Sequence, residues 1–337
     1  LAGRAFHAPF IEAADGLRLT TVVTGDAARA AAVVVERYPD TAVVSTVDDL
    51  WHAGIDVVVV ASPNRFHVDQ AAAALDRGIA VVVDKPVAGT GAEIRSLAAH
   101  AERAGRMLTV FQNRRWDGDF RTVQMLIKDG TLGDVGRFES RFERASRTTR
   151  TAWKVSPDPA DLADILYDLG SHLVDQAVVL FGRPVSVHAE TRSPRPHVPV
   201  SEDATVLLTH ANGVRSYLRM SAVTMPVAPR FVVVGGQAGY RCWGLDPQEK
   251  ASVGGRLPTD AGFGEYPDSQ WGELITDDGV TEVPTLAGDY LGFYESVARC
   301  VRGEGPPPVP LAETIDVVDT LEAAAESAAT GTPIRLA

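Results

Sequence analysis

Residues 55–64 read Ile-Asp-Val-Val-Val-Val-Ala-Ser-Pro-Asn, and residues 79–86 read Ile-Ala-Val-Val-Val-Asp-Lys-Pro. Each is a β-branched apolar run that stops at a turn. Runs without polar alternation belong to strands covered on both faces, the mark of a parallel sheet flanked by helices. Working outward, the pattern predicts strands at Leu17 to Val23, Ile55 to Ala61, Ala80 to Val83 and Leu108 to Phe111, with helices at Asp26 to Arg37, Asn64 to Arg77 and Gly91 to Ala104. This alternation makes residues 1–113 an α/β domain with a doubly wound parallel sheet. Ligands of such sheets bind beyond the carboxyl ends of the strands, where Ser62-Pro63-Asn64 and Asp84-Lys85-Pro86 fall. The chain starts at Leu1 and enters a helix at once, as though a first strand preceded it; Gly3 would then stand at the last glycine of a G-x-G-x-x-G loop, but the first two glycines are not in the sequence and the motif is not claimed.

Beyond Arg114 the pattern changes. A helix from Phe120 to Lys128, a strand from Arg137 to Glu143 and a helix carrying Asp168 and His172 precede alternating runs at Val185 to Thr191, Ala204 to His210, Val214 to Ala222 and Arg230 to Val234. Such alternation reads as an antiparallel or mixed sheet, so residues 114–337 form an α+β domain. The loop Gly303 to Pro310 leads to a helix at Glu313 to Ala329, which packs back on the first domain, and a last strand at Ile334 to Leu336.

A chain of 337 residues suits two domains, and a net charge of −12 argues against sequence-independent nucleic-acid binding, which needs cations on phosphates. Small-molecule partners are expected instead. Two cysteines, Cys242 and Cys300, are too few for a disulfide framework and point to a reducing cytoplasm. No apolar run reaches the roughly 18 residues of a membrane helix. No histidine shares metal-ligand spacing with cysteines or carboxylates, so no metal is expected.

Chemistry concentrates in a few places. On one continuous helix, residues 168, 172, 175 and 179 share a stripe, so Asp168 and Asp175 would flank His172, raise its pKa and fix its tautomer for taking a hydroxyl proton. For the isolated motif, Asp168 as a helix cap beside a partly exposed histidine is the commoner reading. Lys85, between a strand and Pro86, would set an ammonium over the crevice and stabilise alkoxide character on a substrate oxygen, or be a solvated lysine at a strand end. Ser62, Pro63 and Asn64, with His67 one turn on, open a helix whose amides suit a dinucleotide, or are an ordinary helix start. Asn113, Arg115 and Trp116 suit a polyhydroxylated ligand at the domain junction; interdomain ion pairing accounts for them as well.

Four segments, Ala-Ser-Pro-Asn-Arg-Phe-His (61–67), Val-Asp-Lys-Pro-Val (83–87), Phe-Gln-Asn-Arg-Arg-Trp-Asp (111–117) and Leu-Tyr-Asp-Leu-Gly-Ser-His-Leu-Val-Asp (166–175), together resemble the glucose-fructose oxidoreductase and inositol dehydrogenase (Gfo/Idh/MocA) family. The branch with NADP-dependent scyllo-inositol dehydrogenases is the nearest likeness. The resemblance implies a Rossmann-like first domain and a second with an open-faced, mostly antiparallel sheet, commonly used to pair subunits as a homo-oligomer, dimer or tetramer. It implies a catalytic set of Lys85, Asp168 and His172, with His172 as proton acceptor, and Gly3, Thr24, Ser62, Pro63, Asn64, His67, Asp84 and Lys85 around the cofactor. Lys85, Asn113, Arg115, Trp116, Trp153, Asp168 and His172 would face the substrate.

The chain departs from that pattern at Asp84, where Glu is usual, at Trp153-Lys154, where Trp-Arg is common, and at Leu162-Ala163-Asp164, where a glycine-rich segment is usual. Thr24 at a strand end is not acidic, which favours NADP over NAD, although Asp26 follows and no arginine comes before Arg29. The resulting expectation is a nicotinamide-dependent dehydrogenase of a secondary alcohol on a cyclic polyol or sugar. The alternatives are a non-catalytic sensor on the same scaffold and an enzyme acting on a dihydrodiol.

Overall fold

A computed structural model describes residues 2–26, 34, 36–145 and 155–336. The helix expected from Asp26 to Arg37 falls mostly outside them, as do Arg29, Trp153 and Lys154.

The chain enters on a helical segment, a π turn at Gly3–His7 followed by α1 (Ala8–Ala13). Strands β1 (Thr21–Val23) and β2 (Ala42–Val44) pair in parallel, and β2 leads to the single turn α2 (Val47–Leu50). A second parallel sheet holds β3 (Val57–Val60), β4 (Ala80–Val83) and β5 (Leu108–Val110) in that order. Val81, Val82 and Val83 are wholly buried, as the unbroken valine runs require. Between β1 and β3 lies a cavity of about 1200 Å³ lined by Val22 and Val23 on one side and Val58 and Val60 on the other.

The helices here have local causes. After Pro63, a 3-10 turn at Asn64–Phe66 precedes α3 (His67–Leu75), so the helix expected from Asn64 begins as a tighter turn. Helix α4 (Gly91–Ala104) starts at a capping box in which Thr90 and Glu93 satisfy each other's backbone amides. It ends at Gly105, whose φ of 58° is a left-handed conformation that glycine adopts without penalty.

A 3-10 turn at Asn113–Trp116 leads into the second half. It contains α5 (Gly118–Lys128), β6 (Val135–Glu143), α6 (Ile165–Asp168), α7 (Gly170–Phe181), β7 (Pro184–Arg192), β8 (Asp203–His210), β9 (Arg215–Ser221), β10 (Phe231–Gly235), β11 (Gly239–Cys242), α8 (Pro247–Val253), β12 (Gly272–Thr276), β13 (Gly279–Val283), α9 (Tyr290–Val301), α10 (Leu311–Thr330) and β14 (Ile334–Arg335). Nine strands form one sheet in the order β13-β12-β11-β10-β6-β9-β8-β7-β14, with β6–β9 as its one parallel pair. Phe138, Ser140 and Phe142 of β6 and Ala204, Val206 and Leu208 of β8 are buried, while the residues between them are more exposed. That period of two leaves one face open and packs the other under α7 and α10.

Strands β2 and β11 to β13 and helices α2, α8 and α9 were not anticipated. β2 is short and mostly exposed, and the β12–β13 strands mix glycine and polar residues with their apolar ones, so neither carries a strong apolar signal. Helix α9 does carry one: Tyr290, Phe293, Tyr294 and Val297 follow helical spacing and pack against Phe10, Val82 and Phe111. This late segment of the chain therefore completes the core around the β3–β5 sheet. Helix α10 is shared in the same way, with Val318 in that half's core and Val317, Leu321 and Ala324 in the other. The Leu321→Ala variant is expected to lose about 2–5 kcal/mol of stability, the usual range for a leucine this buried. Because α10 belongs to both cores, a urea titration read by tryptophan fluorescence and by circular dichroism should show one shifted transition; two separated transitions would refute a shared core.

Candidate active site

Strand β4 ends at Val83, and the turn after it carries Lys85, joined to Pro86 by a cis peptide bond. The Lys85 Nζ donates to the backbone oxygen of Asp168 at 2.5 Å and lies 3.3 Å from its Oδ1. A break in the helix makes this contact available. In a continuous helix the Asp168 oxygen would accept from the His172 amide, four residues on. Instead α6 stops at Asp168, α7 starts at Gly170, and the His172 amide donates to the Leu169 oxygen at 3.1 Å. The Asp168 carbonyl is released to the ammonium. This corrects the single helix, and hence the stripe through 168, 172 and 175, that the spacing predicted.

His172 sits in the first turn of α7 and is 5% exposed. Its Nδ1 is buried without a hydrogen-bond partner among the described residues. Burial pushes its pKa well below the ordinary imidazole value, and the Lys85 ammonium and the guanidinium groups of Arg114 and Arg230 push the same way; only Asp168 opposes them. The expected upward shift is thus reversed. Asp175 does not flank the ring, because its carboxylate takes Nε and Nη2 of Arg115 at 2.9 and 2.6 Å. What results is a neutral imidazole, fit to accept a proton, beside an ammonium fit to hold an oxygen.

At the junction 113–117 both arginines are engaged in ion pairs, and all of their partners lie within residues 114–337 rather than across the two domains. Arg115 bridges Asp175 and Glu313 of α10, and Arg114 bonds Glu249, Asp117 and Tyr290 while lying 5.0 Å from the centre of the Phe142 ring. Trp116 packs edge-on against Phe293 at 5.3 Å. Arg115 and Trp116 are therefore held by the protein itself, and Asn113 is buried at the start of their turn. Gln176 and Arg230 join the site beside these arginines. Gln176 donates to the Arg114 oxygen at 3.1 Å and accepts from Arg230 at 2.9 Å, one turn beyond His172. The His-x-x-x-Gln spacing was the available signal, since i and i+4 share a helix face.

On the cofactor side, Gly3, Thr24 and Ser62 line the cavity between β1 and β3, and Pro63 is exposed beside it. Open space surrounds the position of a Cβ on Gly3. The Ser62 hydroxyl donates to Gln70 at 2.8 Å. His67 faces no ligand space: it is 1% exposed, with Nδ1 2.8 Å from the Pro86 oxygen and Nε2 2.9 Å from the Ser62 oxygen, so it ties together the two turns that end β3 and β4. Asn64 donates to the Asp161 oxygen at 2.9 Å. Asp84 accepts from the Lys85 amide at 2.9 Å and lies 3.6 Å from His7. Burial pushes its carboxyl up, but His7, Lys85 and His67 together hold it below the ordinary value. These four residues shape the turns rather than offering free groups. No cluster of three or more metal-ligating side chains occurs among the described residues.

The depressed pKa of His172 has a measurable consequence for stability. The fold favours the neutral ring, so the stabilisation is complete above the unfolded-state pKa of about 6.5 and declines as pH falls below it towards the folded value. Denaturant titrations at pH 7.5 and pH 5 should show a loss on acidification that is smaller in His172→Asn. An equal loss in both proteins would contradict a depressed pKa.

The chain matches the NAD-binding Rossmann-fold oxidoreductase family over residues 1–112 and the GFO/IDH/MocA C-terminal domain over residues 120–241. It is 34% identical over 339 aligned residues to the uncharacterized oxidoreductase YdgJ of Escherichia coli, covering 97% of this chain and 93% of that protein. It is 30% identical to the NADP-dependent scyllo-inositol 2-dehydrogenase IolW of Bacillus subtilis, covering 97% of this chain and 91% of that one. A solved structure, YvaA of Bacillus subtilis, superposes with a TM-score of 0.92 at 29% identity, over 100% of this chain and 97% of that one. With relatives of this identity aligned along nearly its whole length, the chain belongs to the GFO/IDH/MocA family of oxidoreductases, whose first domain is an NAD-binding Rossmann fold.

Proposed function

We propose that the protein is an NAD(P)-dependent dehydrogenase that oxidises a secondary alcohol of a cyclic polyol or sugar, reversibly. The observation that carries this reading is the Lys85 ammonium anchored on Asp168 beside a buried, neutral His172. In the oxidation direction His172 takes the hydroxyl proton, and its low pKa makes the resulting imidazolium a ready donor for the reverse reaction. Lys85 steadies the oxygen as it gains alkoxide character, and Asp168 orients both the ammonium and the substrate. A bound nicotinamide supplies the acceptor for the hydride.

The chain's own residues fit a dinucleotide: Gly3, Thr24 and Ser62 border one cavity, and the neutral Thr24 at the end of β1 favours the NADP form over NAD. The substrate class follows the relatives, which include enzymes named for scyllo-inositol, D-apiose and D-xylose. The open face of the nine-stranded sheet, with half-buried Leu207, Tyr217 and Val232, would pair copies of the chain into a homo-oligomer. No helix among the described residues is long and apolar enough to cross a membrane, and two unpaired cysteines suit a reducing cytoplasm.

Turnover with NAD and NADP against inositols, aldoses and their keto forms, followed at the reduced-nicotinamide absorbance, tests the reading. His172→Ala and Lys85→Ala are each expected to lower turnover at least about 100-fold, the scale of losing an acid, a base or an oxygen-stabilising group. Near-normal turnover in either variant would remove that residue from the chemistry. Tight dinucleotide binding without reduction across the whole panel would instead point to a sensor.

A further inference from the structure

The segment that replaces a glycine-rich stretch ahead of α6 is strapped across the molecule. Its 3-10 turn, Pro159–Asp161, is capped by Asp158, whose carboxylate accepts from the Ala160 amide at 3.0 Å. Arg65, in the turn after β3, reaches over to it: Nε and Nη2 bond the two Asp161 oxygens at 2.5 and 2.6 Å, and Nη2 also bonds Asp158 at 3.0 Å. The neighbouring Asn64 holds the Asp161 backbone oxygen. Leu162 follows with φ at 46°, the one non-glycine residue of positive φ among those described. A leucine there is strained where glycine would not be. Its Cδ2 lies 3.0 Å from where a Cβ on Gly89 would stand, so the side chain rests on the segment that follows Lys85. The Asp164 carboxylate then accepts from the Leu166 amide at 2.8 Å and starts the helix that ends at Asp168.

The strap thus touches the turn after β3, the segment after Lys85 and the helix of Asp168. A bidentate guanidinium–carboxylate pair is directional, yet the Arg65 side chain is 36% exposed, so water and salt compete for it. Such a contact adds little to global stability but suits a latch that opens and recloses.

Resting on the dinucleotide reading above, we propose that Arg65 and Asp161 latch the strap to the turn that follows Ser62 at the rim of that cavity, and that Arg65 is a positioning residue that governs dinucleotide release. Stopped-flow fluorescence of reduced dinucleotide leaving the full chain tests this with Arg65→Gln, Asp161→Asn and the exchanged pair Arg65→Asp with Asp161→Arg. Each single variant should release about fivefold faster or more, the lower end of ordinary coupling between sites. Added salt should speed release more in the unmodified protein than in the single variants, and the exchanged pair should recover slow release in part. Hydrogen exchange without dinucleotide gives an independent readout: the amides of Asp161 and Leu162 should exchange faster in both single variants. Unchanged release overturns the latch, and faster exchange with unchanged release reduces the pair to a structural contact, which overturns it too. If the unmodified chain binds no reduced dinucleotide, the cofactor reading fails first and takes the latch with it.

Discussion

The bond from the Lys85 ammonium to the backbone oxygen of Asp168 is the contact on which the rest of the site depends. A helix interior has no carbonyl to give away, because each oxygen is already accepting from the amide four residues on. By stopping α6 at Asp168 and restarting at Gly170, the chain frees one oxygen at the point where the two halves meet. Gly170 sits close to the sheet, since a Cβ there would come within 2.9 Å of the Met220 sulfur and that side chain would have to shift.

Around that contact, charge is arranged so that the imidazole stays neutral. Arg114 and Arg230 stand behind His172, each with its own oxygen partners: Arg114 on Glu249 and Tyr290, Arg230 on Ser140 and Gln176. Buried cations need such partners, and once satisfied they still exert their field on the ring. Beyond them lies a buried group of Asp117, Asp119 and Asp246, in which burial and mutual repulsion hold Asp119 up at about 6 despite Arg230. A carboxylate-rich core beneath a cation-rich site is a balance, and neither half would be tolerable buried alone.

Much of the fold was legible because the apolar pattern was strong. The limits of β4 and α4 follow directly from a valine run and from a capping box closed by Gly105. What escaped was weakly patterned, such as the β12–β13 hairpin, or patterned but unread, such as the aromatic face of α9. At the site, Lys85, Asp168 and His172 could be singled out by residue type and spacing, and they do converge. Their neighbours could not be sorted that way. Arg115 has the same letters whether it holds a polyol or Asp175, and His67 the same whether it meets a cofactor or two carbonyls.

Sequence alone determined the strongly patterned elements and which side chains are able to exchange protons, because periodicity, caps and side-chain chemistry are local properties. Tertiary structure alone decided the direction of the His172 shift, the assignment of Arg115 and Asp175 to each other, and the crossing of Arg65 to Asp161. Burial and the field of distant charges depend on which parts of the chain come to lie together, and no window of neighbouring residues contains that information.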